Sequence, residues 1–100
     1  MIHALKIKTK YFEDVRNGRK TFEVRKADRP FADGDYLALN EIDEDGFYTG
    51  RALLVVVTYL LFDTEYCKEG YVIIGIKKAY VIGQEERECG VLPHWLIERR

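Results

Sequence analysis

The twelve residues "RALLVVVTYLLF", Arg51 to Phe62, limit the fold more than any other stretch of the chain. They are apolar at odd and even positions alike and rich in Val and Leu. A surface helix would show a polar stripe at a period of about 3.6 residues. A half-exposed strand would alternate with a period of about two. This run does neither, so it reads as a central strand covered on both faces and long enough to curl with a barrel. It carries Thr and Tyr and falls short of the roughly 20 residues a membrane helix requires.

The rest of the chain supplies neighbours for such a strand. "HALKIK" sets His3, Leu5 and Ile7 on one face and Lys6 and Lys8 on the other, the alternation of a first strand. "TKYFEDVRNG" reads as a short helix. Thr9 is its expected N-cap, Tyr11, Phe12 and Val15 form its apolar stripe, and Gly18 ends it. In "KTFEVRK", Phe22 and Val24 point one way while Thr21, Glu23 and Arg25 point the other. "DRPFADGD" is a connection in which Asp35 is expected to fix the turn by local hydrogen bonds. "YLALNEI" alternates with Leu37 and Leu39 on one face, and "DEDGFYTG" is a polar hairpin tip. "YVIIGIKKAYVI" gives one or two further strands. In "GVLPHWLIERR", Pro93 opens a short helix, with Trp95 and Leu96 as anchors and Trp95 a lid on the apolar end of the barrel.

The order β-α-β-β-β-β lacks the repeating βαβα of a parallel sheet. The expected fold is α+β, mostly β: a small mixed, mainly antiparallel β-barrel with one or two short helices packed beside it. A chain of 100 residues fits one domain, residues 1–100.

Hydrophobic residues at 47% and charged residues at 33% belong to a globular chain, not a disordered one. "MIHALKIKTK" lacks an apolar leader, so a cytoplasmic location and no membrane partner are expected. Cys67 and Cys89 stand in neither a C-x-x-C nor a Cys/His metal spacing. They read as two reduced thiols, with no metal and no cofactor expected.

Net charge is −1 but unevenly spread. Residues 1–30 hold nine Lys or Arg against four Asp or Glu, and residues 31–100 hold seven against thirteen. A positive N-terminal segment suits an anionic partner such as RNA or a nucleotide. A sequence pI of about 6.1 is unlike that of a protein that coats duplex DNA, so such contact should be local.

The charge order in "GRKTFEVRKADR" carries the functional reading. Gly18 lets the chain turn from the helix straight into a strand. Side chains at the start of that strand then line any groove between helix and sheet. Lys20 offers a mobile point charge, and Arg25 a planar fork suited to phosphate or a base edge. Glu23 suits three roles: orienting Arg25, accepting from a base amino group, or acting as a general base. The bland alternative makes Glu23 and Arg25 a solvent-exposed pair worth roughly 0–1 kcal/mol. Lys26 and Arg29 are either phosphate contacts or a solvated loop. Tyr48, Tyr59 and Tyr71 suit base stacking, although core packing is the simpler role at strand spacing.

"GRKTFEVR" resembles the G-x-K-x-x-E-x-R signature of the ASCH superfamily. The blocks "HALKIKTKYFEDVRNGRKTFEVRKADRPFADGDYLALNE", "YTGR", "VTYLL" and "GYVIIGIK" together resemble the DUF3850 type of ASCH-like protein, from His3 to about Lys78. The resemblance implies a PUA-like β-barrel and a cleft for RNA or a nucleotide. It places Lys20, Glu23 and Arg25 in that cleft, with Thr21 and Lys26 nearby, and it draws in His3 through "H-x-L-K". His3 is otherwise a hydrogen-bonded edge of the core, beside Leu5 and Ile7. An enzymatic branch of the superfamily deacetylates N4-acetylcytidine with a lysine and a threonine nucleophile. Glu23 holds the position of that threonine here, which disfavours the same amidohydrolase chemistry. A ribonuclease would use Glu23 as base with Lys20 or Arg25 as cation. A third reading is an interaction module built on the acidic loops at Asp43–Asp45 and Glu85–Glu88. The cleft readings require the Lys20, Glu23 and Arg25 head groups to converge.

Overall fold

The computed structural model describes residues 1–82, with side chains as far as Ala79. The expected helix at Pro93, the Trp95 lid, Cys89 and the acidic segment Glu85–Glu88 lie outside the described residues. In chain order the elements are β1 (Ile2–Lys8), α1 (Thr9–Arg16), β2 (Phe22–Lys26), β3 (Tyr36–Ile42), β4 (Tyr48–Leu61) and β5 (Tyr71–Ile82). Across the sheet they run β1-β3-β4-β5-β2. The double-sided apolar run therefore occupies the centre, as its composition requires.

The sheet is mixed and curled into a half-barrel. β1 and β3 pair in parallel, and every other neighbouring pair is antiparallel. Leu5, Ile7, Leu37, Leu39, Leu53, Val55, Val57, Val72, Ile74 and Ile76 project into the concave side. Phe12 and Val15 of α1 and Phe31 of the β2–β3 connection close over them. Burial of each such side chain contributes about 1.5–3 kcal/mol. On the convex side, Ala38, Ala52 and Leu54 form a smaller buried cluster with Ile2 against it. β4 is thus covered on both faces along part of its length.

Among the described residues the sheet has two edges, β1 and β2, and they face each other. Arginine side chains bridge the gap in place of a backbone ladder. Arg25 Nη2 donates to the Lys6 carbonyl at 2.6 Å, and Arg29 Nη1 reaches the Ala4 carbonyl at 3.5 Å. Ala4 and Lys6 are two apart, so both carbonyls point to the same edge of β1. The half-barrel closes through side chains, which leaves a cleft along the seam.

Several local expectations meet their physical test here. Gly18 follows α1 with φ of 83°, the left-handed conformation that ends helices, and its N–H donates to Val15 O at 3.1 Å. Asp35 does fix its turn, accepting from Ala32 N at 3.0 Å and bonding His3 Nε2 at 2.8 Å. In the hairpin tip, Asp43 Oδ1 accepts from Asp45 N and Phe47 N, each at 2.9 Å.

Thr9 is not the N-cap. β1 runs without a break into the helix, so Lys8 takes that position in extended conformation and makes no side-chain cap bond. The Thr9 hydroxyl donates instead to Ile42 O at 3.2 Å. Nor do the three tyrosines enter the core: Tyr48 and Tyr59 are exposed and Tyr71 is half-buried. Tyr59 is outside because a β-bulge between Val57 and Tyr59 inverts the alternation of β4.

Candidate functional site

The site begins with the turn after α1. Asn17 N donates to Glu13 O at 3.0 Å, and Lys20 N donates to Asp14 O at 2.9 Å. Lys20 is thereby fixed against the helix end before the strand starts. Ile76 N then donates to Thr21 O at 3.0 Å, and the ladder pairs Glu23 with Ile74 and Arg25 with Val72. Ile74 and Val72 lie in the core, so their partners on β2 also face inward.

That pairing reverses the burial suggested by composition. Phe22 and Val24 are exposed, whereas Glu23 retains only 4% of its surface. A buried carboxylate is costly unless it is paired. Glu23 is paired twice. Its Oε2 accepts from Lys20 Nζ at 2.8 Å, and its Oε1 accepts from Arg25 Nε at 3.0 Å, with Arg25 Nη2 at 2.9 Å. Lys20 Nζ also donates to Phe22 O at 2.7 Å. The three head groups converge, and the solvent-exposed pair of the bland alternative is not what the chain builds.

They sit in a cleft of about 520 Å³ at the seam between β1 and β2. Lys6, Ile7 and Lys8 of β1, Tyr11 of α1, and Lys20 with residues 22–25 line it. The lining carries four cations against one carboxylate, so Glu23 neutralises only part of the positive charge. Lys20 Nζ stands 5.4 Å from the centroid of Tyr11 and 4.8 Å from that of Phe22. The arrangement offers ammonium and guanidinium donors, a fixed acceptor, and two rings at one concave surface.

The other residues singled out from the sequence lie apart from this lining. Thr21, Lys26 and Arg29 are exposed and flank it without entering it. His3 is buried on the concave side, hydrogen-bonded to Asp35 and tilted against Phe31 with ring centroids 4.7 Å apart. The hydrogen bond from His3 holds the Asp35 carboxyl below the usual range. Cys67 is buried, with Sγ 3.5 Å from Leu61 O.

Sequence reasoning missed a second ionic cluster. Glu41, 2% exposed, bonds Arg51 Nε at 2.7 Å and Nη2 at 2.8 Å, and it accepts from the Thr49 hydroxyl. Arg51 Nη2 also reaches Glu13 Oε2 at 2.8 Å, and its guanidinium lies 4.5 Å from the Phe12 ring centroid. The Arg51 hydrogen bonds hold the Glu41 carboxyl down at about 2 and raise the Arg51 pKa. This cluster ties α1 to β3 and β4, and α1 carries the Tyr11 wall of the cleft. A signal was available: Glu41 continues the Leu37, Leu39 parity inward.

Among the described residues, no three His, Cys, Asp or Glu side chains gather as a metal site. No helix there is long and apolar enough to cross a membrane. Residues 2–76 match the family described as "Domain of unknown function (DUF3850)". The "Uncharacterized 12.9 kDa protein in GpA 3'region" of Escherichia phage P2 is 42% identical over 57 residues. That match takes in 57% of this chain and 51% of the phage protein, so the chain spans about half the length of this relative. With three quarters of its length inside the family match, the chain belongs to the DUF3850 family.

Proposed function

We propose that the chain is an RNA- or nucleotide-binding domain whose ligand lies in the cleft between β1 and β2. The observation that carries this reading is the convergence of Lys20 and Arg25 on the buried Glu23 at the floor of a cation-rich concavity. Lys6 and Lys8 on one wall suit phosphate, and Arg25 suits a bidentate contact. The lone pairs that Glu23 keeps beyond its two cations suit an acceptor for a base amino group. Both of its oxygens already accept from cations, which favours a positioning role over that of a general base. The resemblance of "GRKTFEVR" to the ASCH signature points the same way.

Titration of a labelled single-stranded RNA against the protein, repeated as salt is raised, tests this. Affinity should fall with a log–log slope of about −1.4 to −2.1, as expected for two or three phosphate contacts on a single strand. Arg25→Ala should weaken binding while the folded signal persists. Salt-independent binding, or an unchanged affinity in that variant, would remove the cleft from consideration.

A further inference from the structure

The convex face of the sheet carries an apolar strip that the core does not use. Residues paired directly across a ladder share a face. Phe22 pairs with Gly75 and Gly75 with Tyr59, while Val24 pairs with Ile73 and Ile73 with Leu61. The row between them, Glu23, Ile74 and Leu60, points into the concave side. The two flanking rows therefore face solvent. Phe22 is 44% exposed, Val24 52% and Tyr59 64%.

Tyr59 stands in that strip only because of the bulge, which leaves Thr58 out of register. Simple alternation from the buried Val57 would have turned the ring inward. Gly75 accommodates the irregularity: a Cβ there would lie 3.0 Å from Thr58 Oγ1 and 3.4 Å from Tyr59 Cβ. Two rings thus flank a position with no side chain, on strands about 10 Å apart. Lys20 lies over the Phe22 ring, and the exposed Lys77 follows Gly75 on the same face of β5. Asp63, Glu65 and Glu69 bound the other end, in the β4–β5 connection. Phe22 and Val24 also line the cleft, so the strip starts where the cleft ends.

We propose that this strip is the second part of a single-stranded RNA site. A strand held by phosphate in the cleft crosses β2, stacks bases on Phe22 and Tyr59, and passes its backbone toward Lys77. The proposal rests on the cleft reading above. Rings on a sheet face stack splayed bases of any sequence, because every base has a π-face. The ammonium groups of Lys20 and Lys77 favour a polyanion over an apolar protein surface, and the carboxylates of Asp63, Glu65 and Glu69 keep it off the opposite end.

Binding is measured for the nucleoside 5′-monophosphate and the homo-octanucleotide of each RNA base, with wild type, Tyr59→Ala and Tyr59→Phe. The octanucleotide should bind wild type at least tenfold more tightly than its monophosphate. Tyr59→Ala should lose about tenfold for the octanucleotide, or about 1.4 kcal/mol, and nothing for the monophosphate. Tyr59→Phe should keep both affinities. Equal affinity for the two ligands, or an octanucleotide affinity indifferent to Tyr59→Ala, overturns the strip and leaves the cleft standing. Failure of every probe to bind overturns the cleft reading and the strip with it. A wild-type dimer in sedimentation that Tyr59→Ala dissolves makes the strip a protein interface and overturns the proposal.

Discussion

Two buried glutamates, Glu23 and Glu41, meet the same physical problem in different company. Each is nearly sealed from water and held by an arginine. Glu41 shares Arg51 with a second carboxylate, Glu13, and takes the Thr49 hydroxyl besides. Arg16 also pairs with Glu13 at 3.1 Å, so acid there matches base, and the cluster serves as a clamp between α1 and the sheet. Glu23 instead sits between two cations, Lys20 and Arg25, with Lys6 and Lys8 beyond them and a cleft above. Balanced charge makes a structural tie; cation surplus beside a concavity makes a place for an anion. The kind of ion pair does not separate the two. The charge left over and the space beside it do.

The largest effect should come from the clamp. Arg51→Ala leaves Glu41 buried without its main partner, which should destabilise the fold by about 3–5 kcal/mol in urea denaturation. A loss below about 1 kcal/mol would show that water reaches Glu41 and would erase the contrast.

Acid gives the next effect. Glu41 is depressed from 4.5 to about 2, chiefly by the Arg51 hydrogen bond, and Glu13 is lowered by the same arginine. A carboxylate with a depressed folded pKa contributes stability that is present above its unfolded value. That contribution is lost as pH falls from about 4.5 toward 2. At about 1.4 kcal/mol for each pH unit, Glu41 contributes on the order of 3 kcal/mol. Thermal melts across this range should show the decline, and Arg51→Ala should flatten it.

Arg25→Ala should act mainly on binding, weakening RNA by about ten- to a hundredfold, since a charged hydrogen bond contributes about 1.5–3 kcal/mol. Its cost in stability should be smaller than that of Arg51→Ala, because Lys20 stays on Glu23 Oε2. Equal destabilisation by the two variants would break the comparison. The smallest effect belongs to Lys26→Ala. The side chain is exposed and outside the cleft lining, so stability should change by no more than about 0.5 kcal/mol in the same urea denaturation. RNA affinity measured by titration should fall less than in Arg25→Ala.

Much of the fold was legible because local rules govern it. Gly18 stops α1 where the spacing says it must, and the two-faced run of β4 could only lie mid-sheet. The grouping of Lys20, Glu23 and Arg25 was also legible, since alternation puts Glu23 and Arg25 on one face and the helix stop brings Lys20 beside them. Their depth was not. Exposed Phe22 and Val24 and a buried Glu23 invert the usual sorting, because β2 pairs with a strand whose Ile74 is already inside. Tyr59 failed for another reason: one extra residue in a ladder exchanges inside for outside from that point on.

By itself the sequence determined which side chains share a face, where the helix stops and which strand must be central. These follow from backbone geometry over a few residues. Only the tertiary structure decided which face of β2 turns inward, that α1 is tied down through Arg51, and that β1 and β2 meet across a cleft. Those outcomes depend on pairing between residues far apart in the chain. Period-two alternation fixes two faces of a strand, and the neighbouring strand chooses which one is buried.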